Sequence, residues 1–381
     1  MKIAHISDFH TRHHTHGHPT ILKRRSRRMP ELIDLAISEI RQQSPDVLAV
    51  TGDLVDTPFY GMDDSASQER ARKDQMLLRE IIDPVGCPVL YLFGNHDHPK
   101  VFQDVFADQN PDVTIGGYRF LSFYDEEVTD NCAERIGEQR KRFESVLADG
   151  DPTPQIHLQH YMIWPENNRG YPHSYRKAAE MKSQIVSSGK VRLSLSGHFH
   201  GGVDAFEEDG TWFATTRAFC EHPHPFRFYE LDGNNVQQSE HTLGPRPPGR
   251  TYFVDIPGLL EPLKHDRGFL SALVEMKNAG WFIVGVAGPP TQETFEQTND
   301  ALIGELADVG VDLDAVANRH ATDTVGTAPY RNTISDLNID PGSSWALLSN
   351  QAEADAARSV GIKTVVTKRE NAIRDLTKEM S

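Results

Sequence analysis

Five short blocks of this chain set metal-binding and proton-carrying side chains directly behind apolar runs. In chain order they are Asp8-Phe9-His10, Gly52-Asp53-Leu54-Val55-Asp56, Gly94-Asn95-His96-Asp97-His98, an isolated His160 after Gln159, and Gly197-His198-Phe199-His200. The inventory is carboxylate, imidazole and one amide, with no thiolate among them. Such donors suit Mn, Fe, Zn or Ni better than a cysteine-built structural zinc site, and they are numerous enough for two divalent ions. Manganese is the expected pair. A glycine precedes three of the blocks, where a residue without Cβ lets the chain turn sharply and approach an ion closely.

The elements needed to present these residues are legible around them. KIAHIS, DVLAVTG, PVLYLFG, QIHLQHY and VRLSLSG read as strands, each ending at a polar block. MPELIDLAISEIRQQ and QERARKDQMLLREII have helical spacing, the first with Leu32, Leu35, Ile37 and Ile40 on its apolar side. TWFATTRAF and FRFYELDGNNVQQSEH read as the last strands of this half, the second folding back through Asp-Gly-Asn. Ligands placed after several strands of one sheet converge on the crevice at its carboxyl edge. The first half is therefore expected to be an α/β fold with its site at strand ends.

Totals bound the function. The chain has 381 residues, enough for two domains with real cores, and is 38% hydrophobic and 25% charged, the balance of a globular protein. Its start lacks a basic segment followed by an apolar one, and no apolar run reaches the ~20 residues of a membrane span. Neither a secretory leader nor a membrane anchor is expected. Three scattered cysteines form no disulfide framework, so a cytoplasmic protein is expected. A formal charge of -16 repels polyanions at long range and argues against extended nucleic acid as a partner. A small phosphorylated or nucleotide substrate fits that field better.

In this order the five blocks resemble the calcineurin-like metallophosphoesterases, over roughly residues 1 to 240. The resemblance implies a four-layer αββα sandwich. It also implies that Asp8, His10, Asp53 and His200 hold one metal, and that Asp53 bridges to a second held by Asn95, His160 and His198. His96 would then face the leaving group as an acid or clamp, with Asp97 orienting its ring. Two cations about 3.5–4 Å apart lower the pKa of a shared water toward ~7, so a bridging hydroxide can attack phosphorus without a Ser or Cys nucleophile. Asp56 reads as a structural partner at its turn, His98 as a solvated residue beside Pro99, and His157 as facing the opposite side of its strand.

Three further clusters bear on substrate. His13, His14, His16 and His18 follow the first block and are candidates for the mouth of the cleft, His13 foremost. The basic run 23–28, with Arg24 and Arg25, is a candidate for a second phosphate, against the plainer reading of a solvated helix start. Arg217, His222 and His224 stand just beyond the last block and are weaker candidates for its rim.

The Pro/Gly-rich stretch 244–250 reads as a linker, dividing residues 1–243 from 251–381. Beyond it, strands alternate with helices, which implies a second, smaller Rossmann-like sheet. VDIPGLLEP resembles the opening of haloacid-dehalogenase-like phosphatases, with Asp255 at the nucleophile position and Gly258 at the glycine. Pro257 stands where the family has its acid/base Asp, and a proline carries no proton. The family's Ser/Thr position falls near Gly288, without a hydroxyl. Asn350 replaces a magnesium-binding Asp in Ser349-Asn350…Asp355, and Arg331 is the nearest basic candidate for the motif lysine. The second domain is expected to be inactive and kept for substrate presentation, oligomerisation or a protein partner.

The function these readings converge on is dinuclear-metal-dependent hydrolysis of a nucleotide-type phosphodiester. The alternatives are a phosphomonoesterase, a nuclease that processes nucleic-acid ends, or a protein that binds a phosphorylated ligand without turnover.

Overall fold

A computed structural model describes residues 1–15, 22–129, 132–166, 174–244, 248–287, 295–311, 313–317 and 326–378. The chain divides into two compact units, one of Met1–Thr15 with Met29–Pro245 and one of Arg246–Ser381 joined by His16–Arg28. Of the candidates named above, His16, His18, Gly288 and the centre of the proline-rich linker lie outside the described residues. Among the described residues no helix is long and apolar enough to cross a membrane.

In the first unit the order is β1 (Lys2–Ile6), α1 (Met29–Gln42), β2 (Val47–Thr51), α2 (Ser65–Ile82), β3 (Val89–Leu92), α3 (Pro99–Val105), β4 (Asp112–Ile115), β5 (Tyr118–Ser122), β6 (Glu126–Thr129), β7 (Cys132–Glu134), α4 (Gly137–Ala148), β8 (Gln155–Leu158), β9 (Ser174–Tyr175), α5 (Ala178–Ser187), β10 (Val191–Ser196), β11 (Val203–Glu208), β12 (Thr211–Thr215), β13 (Pro225–Asp232) and β14 (Asn235–Thr242). Two main sheets result, ordered β14-β13-β1-β2-β3 and β11-β12-β10-β8-β5-β4. Their facing sides share one apolar core, with Ile3, Ala49 and Leu92 from the first sheet and Phe120, Leu158 and Leu195 from the second. The outer face of the first sheet packs on α1, α2 and α3, and that of the second on α4 and α5. This is the expected four-layer sandwich.

The apolar stripe of α1 differs from the expected one at Leu35, which is exposed, whereas Ile33 and Ala36 are buried beside Leu32, Ile37 and Ile40. Spacing of three and four from Ile33 explains the change, because it brings Ile33, Ala36, Ile37 and Ile40 onto one face. Strands β1, β2 and β3 run parallel, as do β8, β10 and β12. Their carboxyl ends therefore point the same way within each sheet, and the polar blocks follow those ends.

Two interior histidines make the first unit acid-sensitive. Burial, helped by Arg227, lowers His5 from 6.5 to about 3, and its ring sits 2.8 Å from the Thr51 hydroxyl. Burial and nearby arginines likewise hold His157 well below its usual range. Its ring does face away from the site, bonding to Gln155 at 2.9 Å and packing on Phe123. Both rings are neutral in the fold, so the unfolded chain binds more protons below pH 6.5. Stability is then full above about pH 6.5 and falls below it, for His5 until about pH 3, by up to ~1.4 kcal/mol per pH unit for each ring. In calorimetry of metal-free protein, the His157→Leu chain should lose less thermal midpoint than the native chain between pH 6.5 and 5. Equal losses would remove His157 from this account.

The second unit comprises β15 (Thr251–Asp255), α6 (Glu261–Leu263), α7 (Arg267–Asn278), β16 (Phe282–Val286), α8 (Phe295–Asp308), β17 (Ala315–Ala317), α9 (Ala328–Leu337), β18 (Trp345–Leu348), α10 (Gln351–Ser359), β19 (Lys363–Val366) and α11 (Ala372–Lys378). Its sheet has the order β17-β16-β15-β18-β19 and is parallel throughout. Helices α7, α8 and α11 cover one face, α9 and α10 the other. Asp255 ends the central strand, where the strand order reverses.

Candidate metal centre

Asp8 and His10 follow β1, Asp53 follows β2, Asn95 follows β3, His160 follows β8, and His198 and His200 follow β10. Backbone hydrogen bonds clip these loops together: Asp8 N to Gly52 O at 3.0 Å, His10 N to Asp53 O at 2.9 Å, and Gly197 N to His160 O at 2.9 Å. The His198 amide donates to both oxygens of Asp8 at 3.1 Å. Asp8, His10, Asp53 and His198 all adopt positive φ, between 47° and 64°. Left-handed backbone at four non-glycine residues of one site costs of order 1–3 kcal/mol each and persists only where the surroundings enforce it.

Side chains converge as closely as the loops do. Three groups each have their ligand atoms within 4.8 Å of one another: Asp8, His10 and His200; His10, Asp53 and His96; and Asp53, His160 and His198. Oδ2 of Asp53 lies 3.4 Å from Nε2 of His10 and 3.4 Å from Nε2 of His160. Nε2 of His10 is 3.2 Å from Nε2 of His200, and Nδ1 of His198 is 3.2 Å from Nε2 of His160. Asn95 Oδ1 is 3.3 Å from His160 Nε2. Imidazole nitrogens this close in pairs repel through their lone pairs unless a proton or cation stands between them. The donor set, of nitrogen and oxygen atoms only, fits divalent cations.

Outer partners fix the rings. His160 Nδ1 meets the Thr51 carbonyl at 2.7 Å, and His200 Nδ1 meets Glu221 Oε1 at 2.7 Å, so each ring turns Nε2 inward. Glu221 was not singled out in the sequence. Its only signal is an acidic residue in the loop that follows β12.

The sequence expectation for Asp97 needs correction. Its carboxylate accepts the amides of Leu54, Val55 and Gly94 at 2.9–3.0 Å and ties two ligand loops together. The partner of the His96 ring is Asp56, with Oδ1 2.9 Å from Nδ1. Burial would raise the Asp56 carboxyl, but Arg12, at 2.7 Å, and the imidazoles of His10 and His96 hold it well below the usual range. Asp97 itself is pushed up to about 7 by burial and by Asp53. His98 is not simply solvated either: its Nδ1 caps α3 through the Val101 amide at 3.3 Å, and Gln68 meets its Nε2 at 3.0 Å.

The remaining candidates scatter. His13 is exposed and packs against His14. Arg24 and Arg25 belong to the segment grouped with the second unit, as does Asp255. Arg217 pairs with Glu240 at 3.0 Å, and His224 is buried with Nδ1 2.8 Å from the Phe219 carbonyl. Asp255 accepts from the amide and hydroxyl of Ser349. Asn350 caps α10 through the Ala352 amide at 2.8 Å, and Asp355 pairs with Arg358 at 2.7 Å.

Gly94 is required by close approach. A Cβ there would lie 2.6 Å from Asp53 N and 2.6 Å from His160 Cε1. Neither neighbour is the free end of a flexible side chain. Gly94→Ala should weaken Mn²⁺ binding by about 10–100-fold, the scale seen when groups that orient ligands are lost. Calorimetric titration of folded variant protein measures this, and native affinity would show that the loops tolerate the crowding.

Comparison with known proteins agrees with this geometry. A curated relative, a probable cyclic nucleotide phosphodiesterase of Synechococcus sp., is 25% identical over 165 residues, covering 42% of this chain and 60% of its own length. The crystal structure of a dimetal phosphatase from Danio rerio superposes with a TM-score of 0.50 at 14% identity, covering 64% of this chain and 96% of its own. A Had-superfamily hydrolase from Ehrlichia chaffeensis covers 30% of this chain and 58% of its own at 12% identity, with a TM-score of 0.23, too slight a likeness to bear on the fold. The family model for calcineurin-like phosphoesterases matches residues 1–202. With the ligand blocks gathered at the strand ends of a four-layer sandwich, the chain belongs to the calcineurin-like phosphoesterases.

Proposed function

We propose that the chain is a dinuclear-metal-dependent phosphodiesterase acting on a nucleotide-type substrate, with its chemistry in the first unit. The observation that carries this reading is Asp53, whose Oδ2 is equidistant, at 3.4 Å, from histidines of two separate ligand groups. Asp8, His10, Asp53 and His200 would hold one ion, and Asp53, Asn95, His160 and His198 the other. When bound, two such cations act as Lewis acids and make a nucleophile of water near neutral pH. Asp56 Oδ1, 2.9 Å from His96 Nδ1, would hold that ring so that Nε2 can give a proton to the leaving oxygen or bind a phosphoryl oxygen. Arg12 keeps Asp56 ionised for that task. The curated relative's description as a probable cyclic nucleotide phosphodiesterase supports the diester.

The second unit reads as a haloacid-dehalogenase-like fold without turnover. Its strand order and Asp255 at the end of the central strand support the fold. Pro257 in place of an acid, and Asn350 already engaged as a helix cap, support the silence. Cys87, Cys132 and Cys220 form no disulfide, which fits a reducing cytoplasm.

Hydrolysis of bis(p-nitrophenyl) phosphate and p-nitrophenyl phosphate with Mn²⁺ tests the reading. The diester should have the larger kcat/KM, by about tenfold or ~1.4 kcal/mol of barrier. Asp255→Asn should leave the rate unchanged. A preference for the monoester would make the chain a phosphomonoesterase, and a rate that follows Asp255 would move the chemistry to the second unit.

A further inference from the structure

Beside Asn95, the first unit opens into a cavity of about 880 Å³. Its walls are aromatic. Phe93 and Tyr124 stack with centroids 5.1 Å apart and planes 10° from parallel. Phe59, 61% exposed, also lines the cavity, with its ring 4.8 Å from that of His96. An exposed ring beside His96 leaves an aromatic face available to a flat ligand. The lining carries Asp63, Glu126 and Glu127, and no Lys or Arg is among the described lining residues.

These features select by chemistry. A second phosphate in this cavity would face the carboxylates of the described lining. A flat, uncharged ring would find stacking faces, and its amino groups would find acceptors in the lining. Because the cavity shares Gly94, Asn95 and Asp97 with the ligand loops, a phosphate at the metal centre and a ring in the cavity can belong to one molecule.

We propose that this cavity is the base subsite, in which Phe59 and Tyr124 hold the nucleobase of a mononucleotide whose phosphate lies at the metal centre. The phosphate's place rests on the function proposed above, whereas the ring's does not depend on turnover. Stacking a base on aromatic side chains contributes ~1–3 kcal/mol, which corresponds to about 5–150-fold in affinity.

Calorimetric titration of the Mn²⁺-loaded full chain with AMP and with ribose 5-phosphate tests this directly, since the two ligands differ by the base alone. AMP should bind about tenfold tighter or more. In Phe59→Leu, an exposed position that folding does not depend on, and in Tyr124→Leu, the gap between the ligands should close to a few-fold. Equal affinities in the native chain, or a gap that survives both substitutions, would overturn the proposal. The two readings separate cleanly: an AMP preference without hydrolysis of any ester keeps the base subsite and removes the hydrolase, and hydrolysis without an AMP preference does the reverse.

Discussion

Replacing Asp53 by Asn should lower Mn²⁺-dependent hydrolysis of bis(p-nitrophenyl) phosphate by about 10³-fold or more, since metal stabilisation of the transition state contributes several kcal/mol and each ~1.4 kcal/mol is tenfold. The residue is nearly fully buried. Oδ2 faces His10 and His160 at 3.4 Å each, while Oδ1 accepts the His96 amide at 2.9 Å. Despite its burial, His160, His10 and His96 hold its carboxyl well below the usual range. An amide of the same shape loses the negative charge and can turn N–H donors toward two imidazoles. The variant should keep its fold, measured by circular dichroism, and bind fewer metal ions, measured by elemental analysis. Native turnover in folded Asp53→Asn protein would remove the bridging role.

His96→Ala should cost about 10²–10⁴-fold, the usual yield of a positioned proton donor, and the size should depend on the leaving group. A p-nitrophenolate departs without a proton, so its ester should show the small end of the range. An alkyl leaving group, such as the ribose oxygen of a cyclic nucleotide, should show the large end. A ring that only clamps a phosphoryl oxygen would give equal losses with both. Asp56→Asn should follow the same pattern at about 10–100-fold, as expected for a residue that acts by orienting another. It is a positioning residue, held by Arg12 at 2.7 Å and touching His96 at 2.9 Å. A loss in Asp56→Asn independent of leaving group would point instead to general damage of the site.

The candidate metal-binding residues were legible because each one sits next to the strand that carries it. A short apolar run, a glycine and a polar block form a local pattern, and the parallel sheet does the gathering. The partners of those residues were not legible, because they are distant in sequence. His200 meets Glu221 across 21 positions, and His160 meets the Thr51 carbonyl across 109. Asp97 departs from what the resemblance implies: its carboxylate accepts the amides of Leu54 and Val55 on the neighbouring loop and of Gly94 in place of the His96 ring.

Fold elements divided along the same line. The β4–β5 hairpin carried a readable signal that was passed over: Gly116-Gly117, with φ of 55° and 85°, is the dipeptide that tight hairpins favour. Helix α4 gave less to read. It buries only Phe143 and Val146, and Arg142 donates to the carbonyls of Ser122 and Pro111. The grouping of Arg28 with the second unit had no local signature, since its partner Asp314, 3.1 Å away, lies far along the chain.

The central claim is that two divalent ions in the first unit are required for ester hydrolysis. Its most direct test is to strip the protein with a chelator, return Mn²⁺ stepwise, and record bound metal and bis(p-nitrophenyl) phosphate turnover on the same samples. Activity should rise as the second ion binds, reach its maximum at two per chain, and be absent throughout in Asp53→Asn. Full turnover by the stripped protein, or by the native chain holding a single ion, would contradict the account.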